Sequence, residues 1–344
     1  MIKTLSTYFL EIPFTNPTTL FVPLEYRVKL YVWKGTKTAV PAQPIYTFTN
    51  PNPTVSNGID KIDISRLIND FFEFNLTVPL AFNTLQNSNN QVWVKWEILY
   101  GDTPTVITTQ QTSFAVKGYG FYQEGLNPQL PTNRILIDNN EFNISYNSIF
   151  VLPILLDEVL LFEGITIKSF PSLSMNINIP TTPTTNSNEL IKYLFIKPTI
   201  GANQDEYIEI IFNGQIIFLN LISECKYKPV DIFFQNRNGV IETMTFFKSR
   251  KDSLSIKSES YSSDIDYKYN VNSRSKFEVN SGWINEDKNT NIKQLLLAEK
   301  VFIIENNIKL PLITDTKSLD YKTRVNDKLI NYKIDFSYAF EDIS

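Results

Sequence analysis

In the stretch YRVKLYVW, Tyr26, Val28, Leu30 and Val32 alternate with Arg27, Lys29, Tyr31 and Trp33. QVWVKWEILY repeats the pattern, with Val92, Val94, Trp96, Ile98 and Tyr100 opposite Trp93, Lys95, Glu97 and Leu99. A period of two belongs to a half-buried strand, because successive side chains leave a pleated backbone on opposite sides. β-branched and aromatic residues suit such a surface. At the C-terminus LINYKIDFSYAF sets Ile330, Tyr332, Ile334, Phe336, Tyr338 and Phe340 on one face, and a one-residue slip would expose the whole set. The chain is expected to be mainly β.

Helical spacing appears twice. IDISRLINDFF offers Ile64, Leu67, Ile68 and Phe71 with Ser65 as the N-cap, which predicts one short helix. SGWINEDKNTNIKQLLLAEKVFIIENNIKLPLIT, residues 281 to 314, reads as an amphipathic helix near 285–298 followed by two strands. Its stripe is Ile284, Ile292, Leu295, Leu296 and Glu299, and its first turn carries Glu286 and Asp287, as the helix dipole favours. Such a helix either fills a local core against a sheet or meets a partner. Trp283 marks the second option, since tryptophan is enriched at interface hot spots.

Turn chemistry divides the rest. Asn213-Gly214 and Asn238-Gly239 each lie between apolar runs and suit the left-handed positions of a type I′ hairpin turn, with Asn306-Asn307 a weaker third case. From Gly118 to about Gly164 loops lead into two extended runs, and the Pro, Thr, Asn and Ser-rich residues 179 to 189 either link domains or form a long loop within one sandwich. Residues 248 to 280 turn polar and read as long solvated strands, an extended hairpin or a flexible surface loop.

A length of 344 residues predicts two domains. Two β-sandwich-like domains with short helical insertions are expected: residues 1–165 with connecting loops, and residues 166–344 carrying a polar arm at 249–280 and the helix near 285–298. The N-terminal MIKTLSTYFLEIPF is broken by Glu11 and reads as a first strand rather than a leader. The longest apolar run, Ile149 to Leu156, is too short to span a bilayer, so no membrane insertion is expected. One cysteine, Cys225, cannot form an internal disulfide and reads as a small buried hydrophobe in preference to a reactive thiol, consistent with folding in a reducing cytoplasm.

There is no histidine. Ser-His-Asp and Cys-His catalysis, histidine-ligated zinc and the zinc deaminases are therefore excluded. Ser273 and Lys276 match a Ser-x-x-Lys pattern but lack the companion motifs that chemistry requires. The glycines of GYGFYQEG have the wrong spacing for a dinucleotide loop, and Asp138 with Asn140, or Asp264 with Asp266, lack the glycine and final glutamate of a calcium loop. No enzyme, cofactor or metal is expected. Lys248, Arg250 and Lys251 form the clearest basic cluster, either a phosphate contact or charges guarding a sheet edge, and a net charge of −4 offers no bulk attraction to nucleic acid. Trp33, Trp93 and Tyr119 read first as core or interface packing; if exposed, they would form a sugar-stacking platform, which keeps a receptor- or carbohydrate-binding module as the alternative function.

Three segments, ECKYKPVDIFFQNRNGVIETMTFF from Glu224, VNSGWINEDKNTNIKQLLLAEKVFI and INYKIDFSYAF, together resemble a C-terminal pattern in virion structural proteins of tailed phages infecting Bacteroidota, crAss-like phages included. There a Lys-Tyr segment leads into an Asn-Arg-x-Gly hairpin, a Gly-Trp helix and a tyrosine-rich last strand. The resemblance covers about residues 190 to 344, with looser similarity in the N-terminal sheet. It implies a tail or neck ring subunit, made in the host cytoplasm and carried in the virion. Such a subunit would assemble with its own copies and other tail or neck proteins around the DNA channel, touching genomic DNA only transiently. It supplies no catalytic residues. Trp283, Ile292, Leu295, Lys248, Arg250 and Lys251 are the expected assembly interface.

Overall fold

The computed structural model describes residues 2–13, 26–50, 59–72, 81–100, 107–128, 134–156, 164–173, 175–179, 190–198, 205–223, 226–262, 265–318 and 329–343. Cys225, Asp264 and residues 180–189 of the Pro/Thr-rich segment lie outside them. The protein is mainly β.

The alternating stretches build the first sheet, in the order Ile2–Lys3, Ile107–Val116, Gln91–Tyr100, Tyr26–Trp33 and Tyr46–Asn50. Val28, Leu30, Val94, Trp96 and Ile98 face one core, joined by Leu10 and Ile12 of Phe9–Pro13 and by Ile64 and Ile68. The opposite face is not wholly solvated, because Tyr31, Trp33, Trp93 and Leu190 form a second apolar cluster there. Ser65 does not cap its helix. Ile64 holds the cap position of Ser65–Asn69, and the Asp63 carboxylate accepts from the Ser65 amide at 3.0 Å and its hydroxyl at 2.7 Å. The Ser65 hydroxyl is turned back to donate to this charged oxygen and so accepts no N–H from the first turn.

Two further sheets face each other. Phe150–Leu155 pairs with Ile191–Ile196, which also pairs with Leu85–Asn87. The other sheet runs Asn176–Ile179, Ile165–Phe170, Tyr207–Phe212, Gln215–Ile222 and Glu141–Ser145. Phe150, Leu152, Ile154 and Leu194 of the first meet Ile167, Ile210, Phe212 and Leu219 of the second in one core. Val151, Tyr193 and Phe195 point the other way, against Phe233, Ile241 and Phe302. The central sheet is thus buried on both faces, which explains why its strand is a continuous apolar run instead of an alternating one. Strand pairing crosses residue 165, the expected domain boundary: Glu141–Ser145 lies parallel to Gln215–Ile222, and Phe150–Leu155 is antiparallel to Ile191–Ile196. Strands from both sides of that position share sheets and cores.

The fourth sheet has eight strands. Its path is Ile241–Phe246, Val230–Gln235, Val301–Glu305, Ile308–Thr314, Lys333–Tyr338, Asp266–Asn280 and Lys251–Ser262, with Asp342–Ile343 attached to Asp266–Asn280. Helix Asn289–Leu297, entered through a 3₁₀ turn at Glu286–Lys288, covers one face of this sheet. Ile292 and Leu295 enter a core with Phe234, Phe246, Phe277, Val279, Ile334 and Phe336. Tyr332, Ile334, Phe336 and Tyr338 share the buried face expected of the last strand, but Phe340 lies past the strand end and is exposed.

Candidate assembly surface

The residues singled out as an interface divide into two groups. Ile292 and Leu295 are 0% exposed, so they belong to the protomer's own core and are withdrawn from the interface. The helical stripe faces the sheet because both flanking segments are strands, which leaves its apolar side no nearer surface to meet. Arg250 is also committed internally. Its guanidinium donates to Glu305 at 2.6 Å, Asp252 at 2.7 Å and the Tyr338 hydroxyl at 3.0 Å, and lies 4.2 Å from the centre of the Phe277 ring. Trp283, by contrast, is 57% exposed. It follows Gly282, whose φ of +70° turns the chain beside the aliphatic part of the half-buried Lys248. Lys251 is exposed at the start of the outermost strand, across from Glu278.

That outermost strand and its partner are the polar segment of the sequence. Lys251–Ser262 pairs with Asp266–Asn280 over almost its whole length, interrupted by one bulge between Lys257 and Glu259. Asn270, at φ +49°, supplies the left-handed residue of that irregularity. The hairpin leaves the core with its apolar side chains uncovered. Asp252 pairs with Phe277, Leu254 with Ser275 and Ile256 with Ser273, so Leu254 and Ile256 continue the face on which Phe277 is buried. Beyond the core they are 55% and 58% exposed. Nearer the tip Tyr261 pairs with Tyr267 and Glu259 with Tyr269, which sets three exposed tyrosines on one face. Aliphatic and aromatic residues standing in water along an extended ribbon are the feature by which interaction surfaces are recognised.

The other chemical readings lose their geometry. Ser273 and Lys276 are three apart on a strand and therefore face opposite ways, and the Lys276 ammonium pairs with Asp315 at 2.9 Å. Trp33 and Trp93 are 7% and 2% exposed, with indole N–H groups donating to Thr36 O and Gly35 O, so they form no sugar platform. Tyr119 is half-buried, and burial pushes its hydroxyl up to about 12. Asp138 is held by Arg237, with Nε at 2.8 Å and Nη2 at 3.0 Å, leaving no calcium loop. Among the described residues no group of three or more acidic, cysteine or histidine side chains could hold a metal ion.

Arg237 belongs to a buried polar node that the sequence did not disclose. The NRNG turn sits at its centre: the Asn236 amide donates to Leu136 O at 2.8 Å and to Glu242 at 3.0 Å, and Asn291 donates to the other Glu242 oxygen. Gln294 bridges Asp138 and the Arg237 amide at 2.7 and 3.0 Å, while Arg237 also pairs with Glu124 and lies 5.1 Å from the Phe121 ring centre. Segments 121–124, 136–138 and 236–242 are thereby locked to the helix. Asn291 and Gln294, polar yet buried on the same helix as Ile292 and Leu295, were the one local sign of it. Its buried donors and acceptors satisfy one another, which gives the node a structural role.

No helix among the described residues is long and apolar enough to cross a membrane. No family model, curated protein or solved structure matches the chain.

Proposed function

We propose that this protein is a structural subunit of a phage virion, in a tail or neck ring around the DNA channel, and that it acts by assembly with further copies instead of by catalysis. The observation carrying this reading is the projecting hairpin 251–280, whose Leu254, Ile256, Tyr261, Tyr267 and Tyr269 stand in water along both of its faces. Toward the tip from Asn272, where the inner strand makes its last pairing with a third strand among the described residues, the hairpin is a two-stranded ribbon. Such a ribbon gains little stability in water unless it has a surface to lie on. The phage context rests on the sequence resemblance of the NRNG hairpin, the Gly-Trp helix and the last strand. Stable assemblies of this kind commonly bury ~2,000 Å² or more, which a hairpin plus neighbouring loops can supply.

The test is the mass of the purified protein in solution, by native mass spectrometry or light scattering across concentrations. A closed oligomer of defined copy number is expected, and shortening the hairpin should abolish it. A monomer at every concentration would count against the reading.

A further inference from the structure

Lys251–Ser262 is the last strand of the eight-stranded sheet, and among the described residues nothing pairs with its outer edge. Along its twelve residues, alternate backbone N–H and C=O groups point outward there, with no proline to block pairing. The charges along this edge are not uniform: Lys251 and Asp252 stand at one end, Lys257 and Glu259 toward the other.

We propose that this edge pairs antiparallel with the same strand of a second copy, about a two-fold axis at Ser255. In that register residues whose numbers are equally distant from Ser255 face each other. Lys251 then lies opposite Glu259 of the second copy, and Glu259 opposite its Lys251. On the other face Leu254 lies opposite Ile256, twice. Both opposite-charge pairs and both aliphatic pairs form on the correct faces, since the paired positions share parity along the strand. Moving the axis one residue either way, to Leu254 or to Ile256, removes the two Lys–Glu pairs. With the axis at Leu254, Lys251 would instead face Lys257. The self-complementarity of the strand selects a second copy as occupant, because an isologous contact requires one surface to match itself. The pairing rests on reading the hairpin as an assembly element and adds a partner and register for its edge; ring closure, a head-to-tail contact, uses the exposed faces of the same hairpin.

Charge reversal tests the register. Lys251→Glu and Glu259→Lys should each weaken self-association roughly tenfold or more, because each places like charges opposite one another at both ends of the contact. Mixing the two variants should restore association as a heterodimer. The glutamate introduced at position 251 of one chain then faces the lysine introduced at position 259 of the other, and the unchanged Glu259 of the first faces the unchanged Lys251 of the second. In a Cys225→Ser background, Ser255→Cys should form a disulfide between copies, the facing Cα atoms being ~4.5–5.5 Å apart. Native mass spectrometry reads both experiments. If the parent protein associates while the reversals are inert and Ser255→Cys does not cross-link, this pairing is wrong and the assembly reading stands. If the parent protein is monomeric at its highest soluble concentration, both fall.

Discussion

Gly118 and Gly239 meet backbone to backbone, and neither has room for a side chain. A β-carbon on Gly118 would lie 2.6 Å from the Arg237 carbonyl oxygen, and one on Gly239 would lie 2.8 Å from the Lys117 carbonyl carbon. Through this contact the NRNG turn holds the chain that leaves the first sheet, with Tyr119 N donating to Arg237 O at 2.8 Å. Gly239 also carries a φ of +75°, as does Gly214 at +72°, but a β-carbon on Gly214 would meet nothing within 4 Å. Gly214→Ala should therefore cost only the backbone strain, about 1 kcal/mol. Gly239→Ala should add the overlap with a backbone that cannot step aside, for a total of about 2–4 kcal/mol. Denaturant midpoints of the two variants decide between a shared turn penalty and this specific contact.

Glu242 makes stability depend on pH. Burial raises its carboxyl from the ordinary 4.5 to about 7, with Asp138 adding to the shift, against the opposing donors Asn236 and Asn291 and the charge of Lys288. The folded state therefore binds the proton more tightly than the unfolded chain. The contribution is complete below about 4.5 and is lost as pH rises toward about 7. The loss should be on the order of 3 kcal/mol. Glu242→Gln, which stays neutral, should flatten this part of the profile and be more stable than the parent at pH values above that range. Unfolding curves at several pH values read the slope; an unchanged slope in the variant would assign the dependence to another group.

Arg250 anchors the hairpin base from within the protomer. Its guanidinium bridges Glu305 and Tyr338 while covering Phe277. Removing it takes the cation from the Glu305 carboxylate, which keeps the Tyr338 hydroxyl at 3.0 Å, so Arg250→Ala should cost about 1–3 kcal/mol. A double-mutant cycle with Glu305→Gln should show a coupling of about 1 kcal/mol, since the site is only partly shielded from water. A coupling near zero would mean that the stacking on Phe277 carries the whole effect.

The local signals in the sequence were good guides where one residue's neighbours along the chain decide its conformation. Alternation identified the strands of the first sheet and the last strand, and Asn213-Gly214 does adopt positive φ at both positions. The two other turns exchanged roles. Asn306-Asn307 takes +51° and +61°, as a type I′ turn requires, whereas Gly239 alone has positive φ in the NRNG turn. There Asn236 accepts the Gly239 amide through its carbonyl and the Asn238 amide through its side chain, so a longer loop closes the hairpin. The polar node was illegible because its partners are distant in sequence: Asp138 meets Gln294 and Glu242 meets Asn291 only after the sheets have packed. For the same reason the sequence favours core or interface packing for Trp33 and Trp93 without naming what covers them, which is a second cluster with Tyr31 and Leu190.

Trp283 and Ile292 separate assembly from stability within one segment. Ile292 is fully enclosed in the core that holds Phe234, Ile334 and Phe336, so Ile292→Ala should leave a cavity and cost about 2–5 kcal/mol. Trp283 is 57% exposed, ahead of the 3₁₀ turn that opens the helix, and more than half of its surface stays in water in the isolated chain. Trp283→Ala should therefore change stability by less than about 1 kcal/mol. If the exposed indole is covered in an oligomer, the same variant should weaken association by roughly tenfold or more, as truncation of a buried interface tryptophan does. Thermal unfolding and solution mass, measured on both variants, give opposite rankings under this account. A Trp283→Ala protein that unfolds as readily as Ile292→Ala would put the tryptophan in the core, and one that assembles as the parent does would remove it from the interface.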